Sequence, residues 1–475
     1  MTYQVPQHIS KDKIFIVKKS EIEGRLEPNF YKPSIATIEK NIRSLSSKRL
    51  RSYAQSFAGG ATPSKRESEK YYSDSQTGIP FLRVQNLQTD GELSLNECIY
   101  INEETHNGLL RRSQVSGGDL LVKITGVGRM AIASVAPEDF VGNTNQHMVV
   151  IKTGDSSISK YLAHYLNLDI IERIASRHST GGTRPALDYP SLKNIPIIEG
   201  LDFSIIDDAI KVKKEKEIEA QQLLDSIDGY LLKELGIIIP ENNNINNRVF
   251  FINISSLQRS RLDSLYFDPK YCALIDCIKA GRYPLYELDS ITSFLSAGQT
   301  PKSSCYSEEH TLFPIIKAGS YTGFEIDLDK VAYTTDKQSF SVQKNDIFIL
   351  SAAHQAEYIA KQICYLSALP KPNTSFVGEL LCIRANSSVN PMYLYSLLST
   401  SIYKTLLNRE KRGQTSHLYS QDLKQIVVPI PPIDKQNIIA EHINELRMKA
   451  KALQTEGKAI LEDAKTKVEK MIIGM

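Results

Sequence analysis

Apolar residues recur every three to four positions from Ser204 to Leu235, through Ile205, Ala209, Val212, Ile218, Leu223, Ile227, Tyr230 and Leu231. Lys211, Lys213, Lys214, Glu215, Lys216, Glu217 and Glu219 stand between them, a pattern that predicts an amphipathic helix with a solvated, charged face. The pattern returns from Asp434 to Lys470 through Ile438, Ile439, Ile443, Leu446, Ala450, Leu453, Ile460, Leu461, Ala464 and Val468, directly after Pro431-Pro432. The two stretches are 32 and 37 residues long and free of proline. Helices of globular domains average about 11 to 12 residues, so this length favours pairing as an intramolecular coiled coil. Packing of each helix on its own domain stays open.

Ahead of each helix the apolar runs are short, β-branched and bounded by turn residues, which predicts strands. They are Leu120 to Ile124, Met130 to Val135 and His147 to Lys152, then Ile347 to Leu350, Gln362 to Leu366 and Leu380 to Arg384. Ser159 to Ala175 and Pro391 to Asn408 show helical spacing. The expected fold class is therefore mixed α/β (α+β).

These runs belong to a duplication. Arg25-Leu26-Glu27, Gly60-Ala61-Thr62-Pro63, Ile79-Pro80-Phe81-Leu82-Arg83, Gly118-Asp119-Leu120-Leu121-Val122, Asn143-Thr144, Tyr161-Leu162 and Leu192-Lys193-Asn194-Ile195 are answered in order. The answers are Arg261-Leu262-Asp263, Gly298-Gln299-Thr300-Pro301, Phe313-Pro314-Ile315-Ile316-Lys317, Asn345-Asp346-Ile347-Phe348-Ile349, Asn373-Thr374, Tyr393-Leu394 and Leu423-Lys424-Gln425-Ile426. A period this long exceeds that of solenoid repeats, so each copy must be a domain with its own core. The expected boundaries are 1–203 for the first domain, 204–240 for its helix, 241–248 for an asparagine-rich linker, 249–433 for the second domain and 434–475 for the last helix.

Composition adds mostly exclusions. Lys+Arg exceeds Asp+Glu by three charges, so any polyanion-binding surface must be local. The six cysteines show neither CxxC nor metal-ligand spacing, and are expected to be reduced, mostly buried residues of a cytoplasmic protein. No apolar run reaches the ~20 residues of a membrane span. Gly59-Gly60-Ala61-Thr62-Pro63-Ser64-Lys65 lacks phosphate-loop spacing, and Gly126-Val127-Gly128 lacks the third glycine of a dinucleotide loop. Asn390-Pro391-Met392-Tyr393 and Glu27-Pro28-Asn29-Phe30 lack the second proline of an adenine-methyltransferase loop and are read as turns or helix starts. No catalytic or metal-binding residue is assigned. His147, inside an apolar run, is expected in the core.

Polar and basic loop residues do recur at matching places. In the first copy they are Lys65, Arg66, Arg83, Gln85, Asn86, Thr125, Arg129, Asn145, Gln146, Arg177, Ser179, Thr180, Thr183 and Arg184. In the second they are Lys302, Lys317, Ser320, Ser351, His354, Gln355, Asn373, Thr374, Arg409, Lys411, Arg412, Gln414, Thr415 and His417. Arginine suits guanine edges, Asn and Gln suit adenine, and Ser, Thr and Lys suit phosphates, so these are the candidate DNA contacts. Gly182 in one copy and Gly413 in the other are paired as the glycine preceding the last of them.

With Gly78-Ile79-Pro80-Phe81-Leu82-Arg83, Asn143-Thr144-Asn145-Gln146 and Leu423 to Pro432 followed by Gln436, the chain resembles the DNA specificity subunits of type I restriction-modification systems. The resemblance implies two target-recognition domains, each reading half of a bipartite, asymmetric double-stranded DNA target, and two long helices paired antiparallel. It implies no catalysis and no cofactor in this chain. Modification subunits using S-adenosylmethionine would dock on the helices, and a restriction subunit using ATP with Mg would follow; there is no membrane partner. Ile205, Ala209, Val212, Leu223, Ile227, Leu231, Ile439, Ile443, Leu446, Leu453 and Leu461 are the expected docking positions. Helices of this length span about 48 to 55 Å, on the order of 14 to 16 base pairs. Two alternatives stay open: an adaptor of another defence assembly, and a self-contained DNA methyltransferase.

Overall fold

The computed structural model describes residues 10, 12–239, 250–251, 261, 263–264, 266–310, 313–353, 356–413 and 416–474. The expected linker 241–248 lies outside them. The chain forms two compact units, one of Met1–Glu217 with Gln454–Met475 and one of Ile218–Leu453. Each unit thus holds one copy of the repeat, the start of the helix that follows it and the end of the other long helix.

In the first unit a four-stranded antiparallel sheet runs Ser56–Gly59, Met148–Lys152, Leu120–Lys123, Ala133–Val135. Leu120–Lys123 is buried at all four positions, because strands flank it on both sides, helices cover the face of Leu120 and Val122, and Leu82 and Val115 of the neighbouring sheet cover Leu121. Such burial explains a continuous apolar run in place of alternation. A five-stranded sheet adds the parallel pair Ile79–Leu82 and Val141–Thr144. The second unit repeats both devices. Thr292–Ala297, Leu380–Ala385, Ile347–Leu350 and Ile363–Tyr365 follow in the same order, and Phe313–Ile316 pairs in parallel with Ser375–Phe376.

The two predicted mid-size helices are each broken in two. Ser156–Leu166 and Asp169–His178 are separated at Asn167, whose buried amide donates to the Ala133 carbonyl at 2.7 Å and accepts from the Ala133 N–H at 3.1 Å. Pro391–Leu398 and Ser401–Arg409 are separated at Thr400, which caps the second. Asn390 and Glu27 sit at helix N-caps with proline following, as expected for those two strings.

The repeated strings turn out to be structural joints. Gly60 and Gly298 lie against backbone: a Cβ on Gly60 would collide with the Thr144 and Asn145 carbonyl oxygens, and one on Gly298 with those of Phe376 and Val377. Gly60→Ala is expected to destabilise the first unit by roughly 1–3 kcal/mol, since neither backbone can yield to overpacking; denaturant unfolding measures it. Asp119 accepts from the Ser116 N–H at 2.8 Å and pairs with Lys152 at 2.7 Å. Asp346 does the same with Gln343 and Arg384, each at 2.7 Å.

Arg25 donates to the His178 and Ser179 carbonyls and packs over Phe30 at 4.7 Å, while Arg177 covers the same ring at 4.3 Å and donates to the Phe30 carbonyl. Arg261 and Arg409 cover Tyr266 at 4.3 and 3.8 Å, and Arg409 donates to the Tyr266 carbonyl. Each copy therefore holds an arginine–aromatic–arginine clamp that fixes the end of its second helix. Beneath the first clamp, buried Glu39 binds Arg43, Arg177 and His178.

The long helices run Ser204–Leu235 and Ile433–Gly474. Within the second unit Glu219 meets Lys449, the Tyr230 and His442 rings meet at a tilt with centroids 4.3 Å apart and Glu234 meets Lys435, so the helices are antiparallel there. Within the first unit Lys216 pairs with Glu456 at 2.9 Å, and Gly457 lets the partner backbone approach at Lys213.

This packing corrects the expected docking face. Ala209, Ile227, Leu231, Ile439, Ile443 and Leu461 are buried in the cores, and Ile205, Val212, Leu223, Leu446 and Leu453 are partly covered. The apolar stripe is the seam of the helix pair and its seat on the domains. Nor are the cysteines mostly buried: Cys364 and Cys382 are, Cys98, Cys277 and Cys305 are half-buried, and Cys272 is exposed. No helix among the described residues is long and apolar enough to cross a membrane.

Candidate nucleic-acid interface

In the first unit four loops meet at one end of the four-stranded sheet. Leu187 N–H donates to the Ile124 carbonyl, Gly126 N–H to the Pro185 carbonyl, and Ile124 N–H to the His147 carbonyl, joining the loops after Lys123, around 145–147 and 180–186. Thr62 reaches across to Gln146, adding the loop after Gly60. Thr180 and Ala186 exchange both backbone hydrogen bonds at 2.8 Å, which closes a tight loop over exposed Gly181, Gly182, Thr183 and Arg184.

His147 stands at the centre, half-buried and not in the core as expected. Its Nε2 accepts from Arg184 Nη2 at 2.9 Å. A guanidinium offers only donors, so this bond requires an imidazole with Nε2 unprotonated. Burial first, then the Arg184 charge, pushes the His147 pKa below its ordinary value, which keeps the ring neutral at neutral pH. Burial also pushes down Lys123, whose Nζ donates to the Val127 carbonyl at 2.8 Å and steadies the 126–128 tip.

The second unit builds the same junction from different side chains. Leu418 N–H donates to the Ser351 carbonyl, Ser351 N–H to the Glu379 carbonyl, and Arg412 and His417 exchange both backbone hydrogen bonds at 2.9 Å. Thr300 donates to Glu379 Oε2 at 2.8 Å and accepts from the Gly378 N–H at 2.9 Å. A cavity of about 330 Å³ opens beside Ser351, Glu379, His417 and Tyr419.

These bonds set the true register between copies. Ile124 and Ser351 are equivalent, as are His147 and Glu379, so Thr125 corresponds to Ala352. Strand pairing matches Asn143-Thr144 with Ser375-Phe376, two residues beyond the expected Asn373-Thr374. The matching glycine is Gly181, not Gly182: Gly181 and Gly413 have φ of 96° and 95°. The equivalence that sequence reasoning missed is a neutral histidine in one copy at the backbone place where the other copy has a carboxylate.

Of the candidate contacts, Lys65, Arg66, Thr125, Gln146, Thr180, Thr183 and Arg184 belong to these first-unit loops, and Lys302, Arg412 and His417 to those of the second. Gln85 is exposed, and Arg83 donates to the Glu97 carbonyl at 3.0 Å. Other positions are corrected by their internal roles. Asn86, Asn145, Ser320, Ser351 and Thr374 are buried and hold turns through their side chains. Arg129 is paired with Asp169, Arg177 and Arg409 form the clamps, and Ser179 donates to the Ala175 carbonyl. Lys411 donates to the Ala356 carbonyl at 2.8 Å, and Lys317 covers Tyr306 at 4.2 Å. Asn373 has a left-handed φ of 61°. His354, Gln355, Gln414 and Thr415 lie outside the described residues. Among the described residues no three His, Cys, Asp or Glu side chains are grouped to hold a metal.

Residues 283–462, which include the second copy of this junction, match the family model of the type I restriction modification DNA specificity domain. The chain is also 26% identical over 169 residues to the putative type I restriction enzyme MjaX specificity subunit of Methanocaldococcus jannaschii, a stretch covering 34% of this chain and 38% of that protein. Similar solved structures include a type I restriction-modification S subunit from M. genitalium, at 14% identity and a TM-score of 0.38 over 89% of this chain and 94% of that one. An HsdS subunit from Thermoanaerobacter tengcongensis stands at 13% identity and 0.33 over 90% and 95%. Within the matched residues the loop junction falls at Ser351, Glu379 and His417.

Proposed function

We propose that this chain is a sequence-specific double-stranded DNA-binding subunit that reads a bipartite, asymmetric target, one half through each loop junction. The observation that carries the reading is the equivalence of His147 and Glu379: one scaffold, built twice, presents different chemistry, a neutral ring and a carboxylate, at the same backbone position. Two unlike half-sites require that combination, because donors and acceptors on base edges are read by complementary groups.

In this reading the chain brings no cofactor. A partner modification subunit methylates adenine with S-adenosylmethionine, and a restriction subunit uses ATP with Mg. Docking of partners falls to apolar side chains that the packing leaves outside, such as Ile438 and Met448, 57% and 51% exposed. Mapping methylated adenines in cells with and without the chain tests the reading. Loss of a two-part motif is expected; an unchanged pattern would sink it. Methylation by the purified chain alone would favour a self-contained enzyme instead.

The two long helices set the spacing between half-sites. Inserting a matched number of residues into both is expected to change the preferred spacer and leave the half-site sequences alone, as read by selection from randomised duplexes.

A further inference from the structure

Arg447 is an anomaly. It is 5% exposed, yet no carboxylate lies within ion-pair distance among the described residues. Its Nη1 donates to Ser396 Oγ at 3.1 Å, and the guanidinium lies 4.3 Å from the Tyr395 ring centroid. The Nε and Nη2 groups make no hydrogen bond among the described residues. A buried charge without a counter-charge costs several kcal/mol, and one hydroxyl, the Met392 thioether at 3.8 Å and the faces of Tyr395 and Phe324 offset only part of that.

What Arg447 faces is a cavity of about 280 Å³ in the second unit, which Lys404 also lines. The Lys404 ammonium makes no hydrogen bond or ion pair among the described residues, and burial pushes its pKa down. Asp228 is the one carboxylate on the wall, and its Oδ2 is already bound by the Ser401 N–H at 2.7 Å. Arg447, Lys404 and Lys361 therefore share this wall with one engaged carboxylate. The first unit differs: Tyr161 and Tyr393 match along the repeat, which puts His164 where the second unit has Ser396, and there Lys160 and His164 share their own carboxylate, Asp207, at 2.8 and 3.0 Å.

We propose that the second unit contains a binding site for a small free oxyanion of the phosphate class, held by Arg447 and Lys404 beside Ser396 and Ser399. A planar guanidinium with free donors and a mobile ammonium match tetrahedral oxygens. The volume is below the range that takes drug-sized ligands, roughly 300 Å³ upward, which favours a single anion over a nucleotide.

Titrating the full chain with inorganic phosphate, followed by 31P NMR and thermal unfolding, tests this. Phosphate is expected to raise the melting temperature with saturation, while chloride at equal ionic strength does not. Lys404→Gln, at a partly buried position, should weaken phosphate binding about tenfold or more, and Arg447→Met should abolish it. Equal shifts by phosphate and chloride, or wild-type affinity in Lys404→Gln, would overturn the site. Displacement of phosphate by a short DNA duplex would overturn its assignment to a free anion and give it to the DNA backbone.

Discussion

Glu39→Ala is expected to lower the unfolding free energy of the first unit by on the order of 3–5 kcal/mol, as measured by urea unfolding. The carboxylate is 2% exposed and receives Arg43, Arg177 and the His178 ring. Removing it leaves the partly buried Arg43 and Arg177 guanidinium groups without that counter-charge, a change more costly than losing a surface pair. Arg177 is also half of the clamp over Phe30, so loss of its anchor should loosen the helix end that carries the 180–186 loop. A double variant, Glu39→Met with Arg177→Met, is expected to recover part of the loss, because removing Arg177 together with its partner leaves only Arg43 stranded.

The same carboxylate has a signature in pH. Burial alone would raise its pKa, but hydrogen bonds and charge from His178, with hydrogen bonds from Arg43 and Arg177, outweigh burial and bring it from 4.5 to about 2. A group depressed on folding contributes stability in full above its unfolded pKa and loses it as pH falls through the folded one. Stability should therefore decline between about pH 4.5 and 2, and Glu39→Gln should remove much of that slope.

Much of the architecture is legible in the chain because it rests on periodicity and repetition. The central strands Leu120–Lys123 and Ile347–Leu350 and the helix Ser204–Leu235 follow directly from apolar spacing. The breaks at Asn167 and Thr400 do not, since the residues flanking them keep one apolar rhythm and only a capping or stitching side chain marks the interruption. The candidate site is less legible for a related reason. Arg177, Arg409 and Asn86 share residue type and loop position with a DNA contact, and only the folded chain shows what they already bind. Conversely, His147 sits in an apolar run and Glu379 bears the wrong sign for a phosphate search, so neither stands out until strand register makes them counterparts.

That counterpart relation gives the second large effect: Glu379→Gln and His147→Ala are expected to alter opposite halves of the recognised sequence. A carboxylate at a base edge accepts from an amino group such as cytosine N4 and repels the phosphate backbone. An amide in its place keeps the size, gains donors and loses the repulsion. Glu379→Gln should therefore relax discrimination in one half-site by about ten- to a hundredfold, the equivalent of 1–3 kcal/mol per lost contact, while non-specific affinity rises. His147→Ala leaves Arg184 without the acceptor that orients it, so base preference in the other half should broaden as the guanidinium turns toward phosphate. Its binding should then fall more steeply with salt, since each added phosphate contact steepens the salt dependence. Selection from duplexes randomised in both halves reads the two effects together. Confinement of each change to one half supports two independent readers, whereas either substitution shifting both halves would mean that the units do not read separately.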